Sequence, residues 1–265
     1  MVPPWVPEIE PIDIDNEDEN DADTEESDAD PADVAIDSDS DEEVAPPARF
    51  RSSRRNLAEF ARTGDTTSLN RALGHYVSSG YGGVSVATRR FGGTASTAEA
   101  LGGALAGTPG TAADRLDLPL LRAASTEEVM SAVVDAVRPV DGTQDTESAR
   151  ASVREALSEV LGAYPDADLL QLTEDQQVLA VATFTATDLY RRFDLDVGKT
   201  IQDRAPDAST ALSRLKEVRD YIRELIAGAF RRYRNAGQEL TPKRLKTMAS
   251  RALRETFAVF EGYLE

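Results

Sequence analysis

The chain has 265 residues, 40% of them hydrophobic, with 48 acidic and 29 basic side chains, one histidine and no cysteine. The lack of cysteine excludes disulfides, thiolate zinc sites, iron–sulfur clusters and a cysteine nucleophile. No apolar run approaches the roughly 20 residues that cross a bilayer, and the start, Met1-Val2-Pro3-Pro4-Trp5, has neither the basic nor the apolar region of a signal peptide, so a cytoplasmic protein is expected.

The net charge of -19 sits in one segment. Residues 1–48 hold 19 acids and no base, while the remaining 217 residues hold 29 of each. A boundary is therefore expected between residues 48 and 49. The first segment reads as a disordered acidic tail, because like charges repel in any compact state and Pro31, Pro46 and Pro47 break a helix. Its beginning is the exception. Pro3, Pro4 and Trp5 form a stiff apolar stretch around the only tryptophan, a form suited to docking on a partner.

Residues 49–113 invert the charge, with eight arginines against three acids, and read as a basic, glycine-rich helical subdomain. Short helices are predicted over Ser53–Arg62, with Leu57, Phe60 and Ala61 on one face, and over Thr66–Ser79, with Leu69, Leu73, Tyr76 and Val77 on another. Gly-Gly pairs follow at 82–83, 92–93 and 102–103 and read as loops or close helix contacts. Val84-Ser85-Val86 alternates as a strand does, over too short a run to define one.

Residues 114–265 read as a helical domain. Ser125 with Glu128 and Thr173 with Gln176 are capping boxes. Pro139 stops the first of these helices, and Val153, Leu157, Val160 and Leu161 stripe the helix between them. Val178–Thr187 carries no charge on any face, which predicts a central, buried helix. After Pro206, the residues Ala211, Leu215, Val218, Ile222, Leu225 and Ala229 alternate spacings of four and three, the seam of a helical hairpin. Gly237 fits a C-cap and Thr241-Pro242 an N-terminus. Leu245, Met248, Leu253, Phe257 and Phe260 line the last helix. The predicted class is all-α: a bundle-like helical domain behind a long disordered acidic tail.

Motifs that carry chemistry are sparse. Gly198-Lys199-Thr200 has the ending of a phosphate-binding loop, but Phe193 stands where that loop needs its first glycine, so Gly198 is expected to end a helix. His75 alone cannot build a triad or a histidine-rich metal site. Asp194 and Asp196 read as solvated carboxylates, and Asp141–Asp145 as a turn between helices without calcium-loop spacing. No catalytic, cofactor-binding or metal-binding residue is assigned, and no enzyme is expected. Arg49, Arg51, Arg54 and Arg55, beside Phe50, suit nucleic acid or an acidic partner, including the acidic tail, which would compete for them.

Several segments resemble a known family: Arg49-Phe50-Arg51, Leu73-Gly74-His75-Tyr76-Val77, Arg89-Arg90-Phe91-Gly92-Gly93-Thr94, Arg138-Pro139-Val140-Asp141-Gly142-Thr143-Gln144-Asp145, Tyr164-Pro165-Asp166-Ala167-Asp168, Asp196-Val197-Gly198-Lys199-Thr200-Ile201-Gln202 and Leu215-Lys216-Glu217-Val218. They are similar to the B component of the four-gene Qat anti-phage defence system, as is the Pro3-Pro4-Trp5 start. The resemblance implies an accessory or substrate-like subunit of a multi-protein complex. It implies as neighbours a 7-deazaguanine-synthesis-like (QueC-like) protein, an ATPase and a TatD-like nuclease. The QueC-like protein is the expected direct partner, with Pro3, Pro4, Trp5, Arg49, Arg51, Arg54 and Arg55 as candidate contacts. Modification of an N-terminal glycine, also implied, meets Val2 here. The alternative is a nucleic-acid-binding protein.

Overall fold

Two adjacent residues, Gly64 and Asp65, organise the first hairpin. Helix α1 (Arg51–Thr63) ends at Gly64, whose φ of 73° is left-handed. The Asp65 carboxylate then accepts the Thr67 and Ser68 N–H groups and starts α2 (Thr66–His75). The computed structural model describes residues 49–234 and 239–265; the expected tail, with Pro3, Pro4 and Trp5, and the expected cap at Gly237 lie outside the described residues.

Helix α2 stops being α-helical before Ser79. It widens into a π-helical turn over Tyr76–Tyr81. Gly82 and Gly83, with φ of 87° and 99°, reverse the chain into α3 (Val84–Arg90). The strand-like alternation at Val84-Ser85-Val86 is therefore the opening turn of a helix. After Phe91 comes α4 (Gly92–Leu105). The glycine pairs thus differ in purpose. The first reverses the chain and the second opens α4. In the third, a Cβ on Gly102 would fall 2.3 Å from Leu245 Cδ1, and one on Gly103 would fall 2.7 Å from Thr111.

The short α5 (Leu118–Leu121) precedes α6 (Thr126–Val137), and α6 opens on the Ser125–Glu128 capping box. Next comes α7 (Gln144–Ala163), whose N-cap is Thr143. The Asp141 turn joins these two helices. Asp141 accepts from the Thr143 N–H, the Thr143 hydroxyl and the Thr146 hydroxyl, and those bonds, the Thr146 hydroxyl first, pull its pKa down to about 2. Helix α8 (Glu174–Phe193) opens on the Thr173–Gln176 box. A second π-helical turn, Asp194–Gly198, leads into α9 (Lys199–Arg204). Gly198 therefore does not end a helix: its φ and ψ of -61° and -31° carry the chain onward. Glycine is needed there because a Cβ would lie 1.8 Å from the Asp194 carboxylate. Last are α10 (Ala208–Arg234) and α11 (Pro242–Gly262), the latter capped by Thr241. Among the described residues there are helices and no strand.

Helix α8 is the central one. It packs against α4, α7, α10 and α11, and every residue from Ala180 to Thr187 is buried. Four packed neighbours leave no face for solvent, which is why that stretch tolerates no charge. Its threonines are accommodated locally; the Thr185 hydroxyl, for instance, donates to the Val181 carbonyl at 2.7 Å. The predicted α10 seam from Ala211 to Ala229 and the α11 stripe from Leu245 to Phe260 are buried throughout. On one side α7 and α10 carry matched ladders: Glu155 pairs with Arg219 of α10 and Arg191 of α8, and Glu159 pairs with Arg223. Residues Pro47–Glu265 form one compact unit in which α11 also packs against α2, α3 and α4. No helix among the described residues is long and apolar enough to cross a membrane.

Candidate functional site

The structure divides the four candidate arginines into two that are tied to distant backbone carbonyls and two that point outward. Arg49 is half-buried: its Nε donates to the Gly80 carbonyl at 2.8 Å, and its guanidinium lies 4.5 Å from the Tyr81 ring centroid and 4.8 Å from that of Phe50. Arg54 reaches across to the second π turn and donates to the Asp196 carbonyl at 2.8 Å. Arg51 and Arg55, one turn apart on α1, are exposed. Helix α1 packs against α9, on which Lys199 and Arg204 are also exposed. The two contacting helices thus both expose cations, and α9 also exposes Asp203.

Beneath this surface lies a polar node that no motif in the sequence announces. The Tyr76 and Tyr81 hydroxyls both donate to Asp196 Oδ2, each at 2.9 Å. Each π turn supplies one side of this contact. A π turn adds a residue to the helical repeat and so rotates the side chains beyond it; here the first π turn begins at Tyr76 and ends at Tyr81, and both face Asp196. Phe50 stacks on Tyr76 with centroids 5.3 Å apart, and Phe193 meets Tyr76 edge-on at 5.1 Å. Tyr81 leads through Phe91 to Phe257 of α11. A Cβ on Gly80 would come 2.6 Å from the Phe50 ring, so this glycine is what lets Phe50 dock. Tyr76 and Asp196 stand inside two of the segments that carry the family resemblance, which is the one sequence signal for them.

Asp194 and Asp196 are not a working pair. Asp196 serves the two phenols. Asp194 packs over Gly198 with a buried Oδ1 that has no hydrogen-bond partner, and burial pushes its carboxyl above the usual range. His75 is half-buried at the end of α2. Among the described residues no group of three or more His, Asp or Glu side chains is placed to hold a metal.

The node has a testable acid–base signature. Burial raises the phenol pKa of Tyr76 and Tyr81 above the ordinary value, and the Asp196 charge adds to the effect at both. In the unfolded chain these phenols ionise near pH 10, whereas in the fold they keep their protons. Above that pH the unfolded state binds fewer protons, so stability falls as pH rises. Each phenol should contribute about 1.4 kcal/mol per pH unit in that window. Tyrosinate absorbance from these residues should appear together with loss of helical circular dichroism. Ionisation of all the tyrosines near pH 10 with the helices intact would show that the node is open to solvent.

A family model described as "Qat anti-phage system associated protein QatB" matches residues 82–260. The match spans α3 to nearly the end of α11 and leaves the candidate arginines of α1 before it. No curated protein and no solved structure matches the chain significantly.

Proposed function

The chain belongs to the QatB family of Qat anti-phage system associated proteins, and from that premise we propose that it acts as a non-enzymatic subunit of a multi-protein defence complex with the QueC-like protein as direct partner. The observation that carries the reading is the family match over two thirds of the chain. Two structural features support it. The buried polar node is engaged by groups of the same chain, with both phenols committed to Asp196. Exposed side chains at the predicted contact region include four cations, Arg51 and Arg55 on α1 with Lys199 and Arg204 on α9, against one exposed acid on α9, Asp203. Exposed arginines with little structural duty suit a partner surface that supplies carboxylates. The ATPase and the TatD-like nuclease are further candidate members of the complex.

Co-expression of the full chain with each of the three system components, followed by size exclusion, tests this. Co-elution with the QueC-like protein is expected. Arg51→Glu with Arg55→Glu should weaken that complex at least about tenfold while leaving the thermal midpoint nearly unchanged, because surface charges contribute little to folding. Separate elution at micromolar concentrations and moderate salt would overturn the assignment of this partner.

The same exposed cations favour a second reading, contact with nucleic acid. If all four cations met duplex phosphates, the log–log salt slope would be roughly -3.6. Titration of labelled DNA at two salt concentrations decides this; no detectable binding at low salt removes the reading.

A further inference from the structure

A second feature lies away from α1 and wholly within the family match. A cleft of about 320 Å³ opens between the α3–α4 junction, the start of α7 and the end of α8. Arg90, Arg138 and Arg192 line it, each from a different segment. Its size reaches the lower range of small-molecule sites.

The local chemistry favours an anion. Only two acids, Asp145 and Asp188, line the cleft against the three arginines. Asp145 and Arg192 pair with each other, which leaves Arg90 and Arg138 set against Asp188. Asp188 accepts the Thr94 hydroxyl at 2.6 Å, and burial raises its carboxyl above the usual range. Arg192 is positioned by a bond to the Arg90 carbonyl at 3.3 Å and by the Phe91 ring, whose centroid is 5.1 Å from its guanidinium. Arg138 is held by the Thr146 hydroxyl at 2.9 Å, and its Nε is buried without a hydrogen-bond partner. Arg138 and Arg192 are therefore held in place before any ligand arrives, which lowers the ordering cost of binding. Gly93 also lines the cleft, and a Cβ there would meet nothing within 4 Å, so the space is open. Leu195 adds an exposed apolar rim. Two of the segments that carry the family resemblance, Arg89–Thr94 and Arg138–Asp145, come together here although some 45 residues separate them in sequence.

We propose that this cleft binds a small phosphoryl-bearing ligand through Arg90, Arg138 and Arg192. Several guanidinium forks around one cavity suit the several oxygens of a phosphoryl group better than a single carboxylate. The proposal does not rest on the proposed protein partner.

The test uses the full chain with two probes, inorganic phosphate and ADP, each titrated by calorimetry against chloride at matched ionic strength. Saturable binding is expected for at least one. Similar affinity for both identifies a bare phosphate site, and ADP binding tighter by about tenfold or more identifies a nucleotide site. Gly93→Glu should abolish binding by placing a carboxylate in the cleft. It should not unfold the protein, since Glu is favourable in the first turn of a helix and replacing a helical glycine removes unfolded-state entropy. Gly93→Ala should bind as the parent does, and Arg90→Gln should bind about tenfold more weakly. No saturable binding of either probe, or binding unaffected by both Gly93→Glu and Arg90→Gln, would overturn the proposal.

Discussion

Replacing Asp196 with alanine should destabilise the protein by about 2–5 kcal/mol, from two buried phenols that each lose an acceptor worth roughly 1–3 kcal/mol. Tyr76 and Tyr81 are 0% and 8% exposed, so water cannot readily substitute. Their hydroxyls could turn only to each other, now 3.5 Å apart. Asp196→Asn keeps an acceptor oxygen in place and should cost about 1 kcal/mol. In a Tyr76→Phe/Tyr81→Phe background the alanine change should cost much less, because the orphaned donors are gone. Urea unfolding of parent, single variants and combined variant measures this coupling. An Asp196→Ala variant within about 0.5 kcal/mol of the parent would mean that the node does not hold the two π turns together. The consequence reaches function: the node joins the second π turn, to which Arg54 is bound, to the first, against which Phe50 packs, so losing it should also loosen the presentation of Arg51 and Arg55.

Phe184→Ala should be similarly severe, at about 3–5 kcal/mol, the usual range for truncating a buried aromatic. Phe184 is 0% exposed on the central helix α8, which packs against α4, α7, α10 and α11. Four surrounding helices cannot all move inward, so the cavity stays largely open and the penalty should fall toward the upper end. For a fold of this size that corresponds to a drop of roughly 6–20 °C in thermal midpoint. Thr185→Val is the contrast. Its hydroxyl bonds within the same helix, and valine has nearly the same shape, so a change within about 1 kcal/mol is expected. Equal effects for the two variants would mean that α8 is held by polar bonds and not by packing.

The parts legible in the sequence are those whose cause is local. A capping box spans four residues, so Ser125–Glu128 and Thr173–Gln176 can be read directly, and both are in place. The α10 seam and the α11 stripe follow from helical period alone, and the uncharged run of α8 announces a helix surrounded on all sides. The all-α class needs nothing more. The predicted α2 helix runs too far because its stripe is continuous through Val77, and a π turn leaves the apolar pattern almost unaltered while changing where later side chains point. Gly198 reads as a terminator because glycine is the common one, whereas here it makes room for the Asp194 carboxylate. The basic character of α1 is visible in its composition. That Arg49 and Arg54 are tied to carbonyls elsewhere in the fold while Arg51 and Arg55 point outward is not, because the partners of the first two lie 31 and 142 residues away. The same holds for Asp196, which meets its phenols across 120 and 115 residues, and for the arginine cleft. Periodicity and capping are set by neighbours within a turn or two of helix. A site built from three separated segments exists only once the packing of α4, α7 and α8 has chosen which turns face each other.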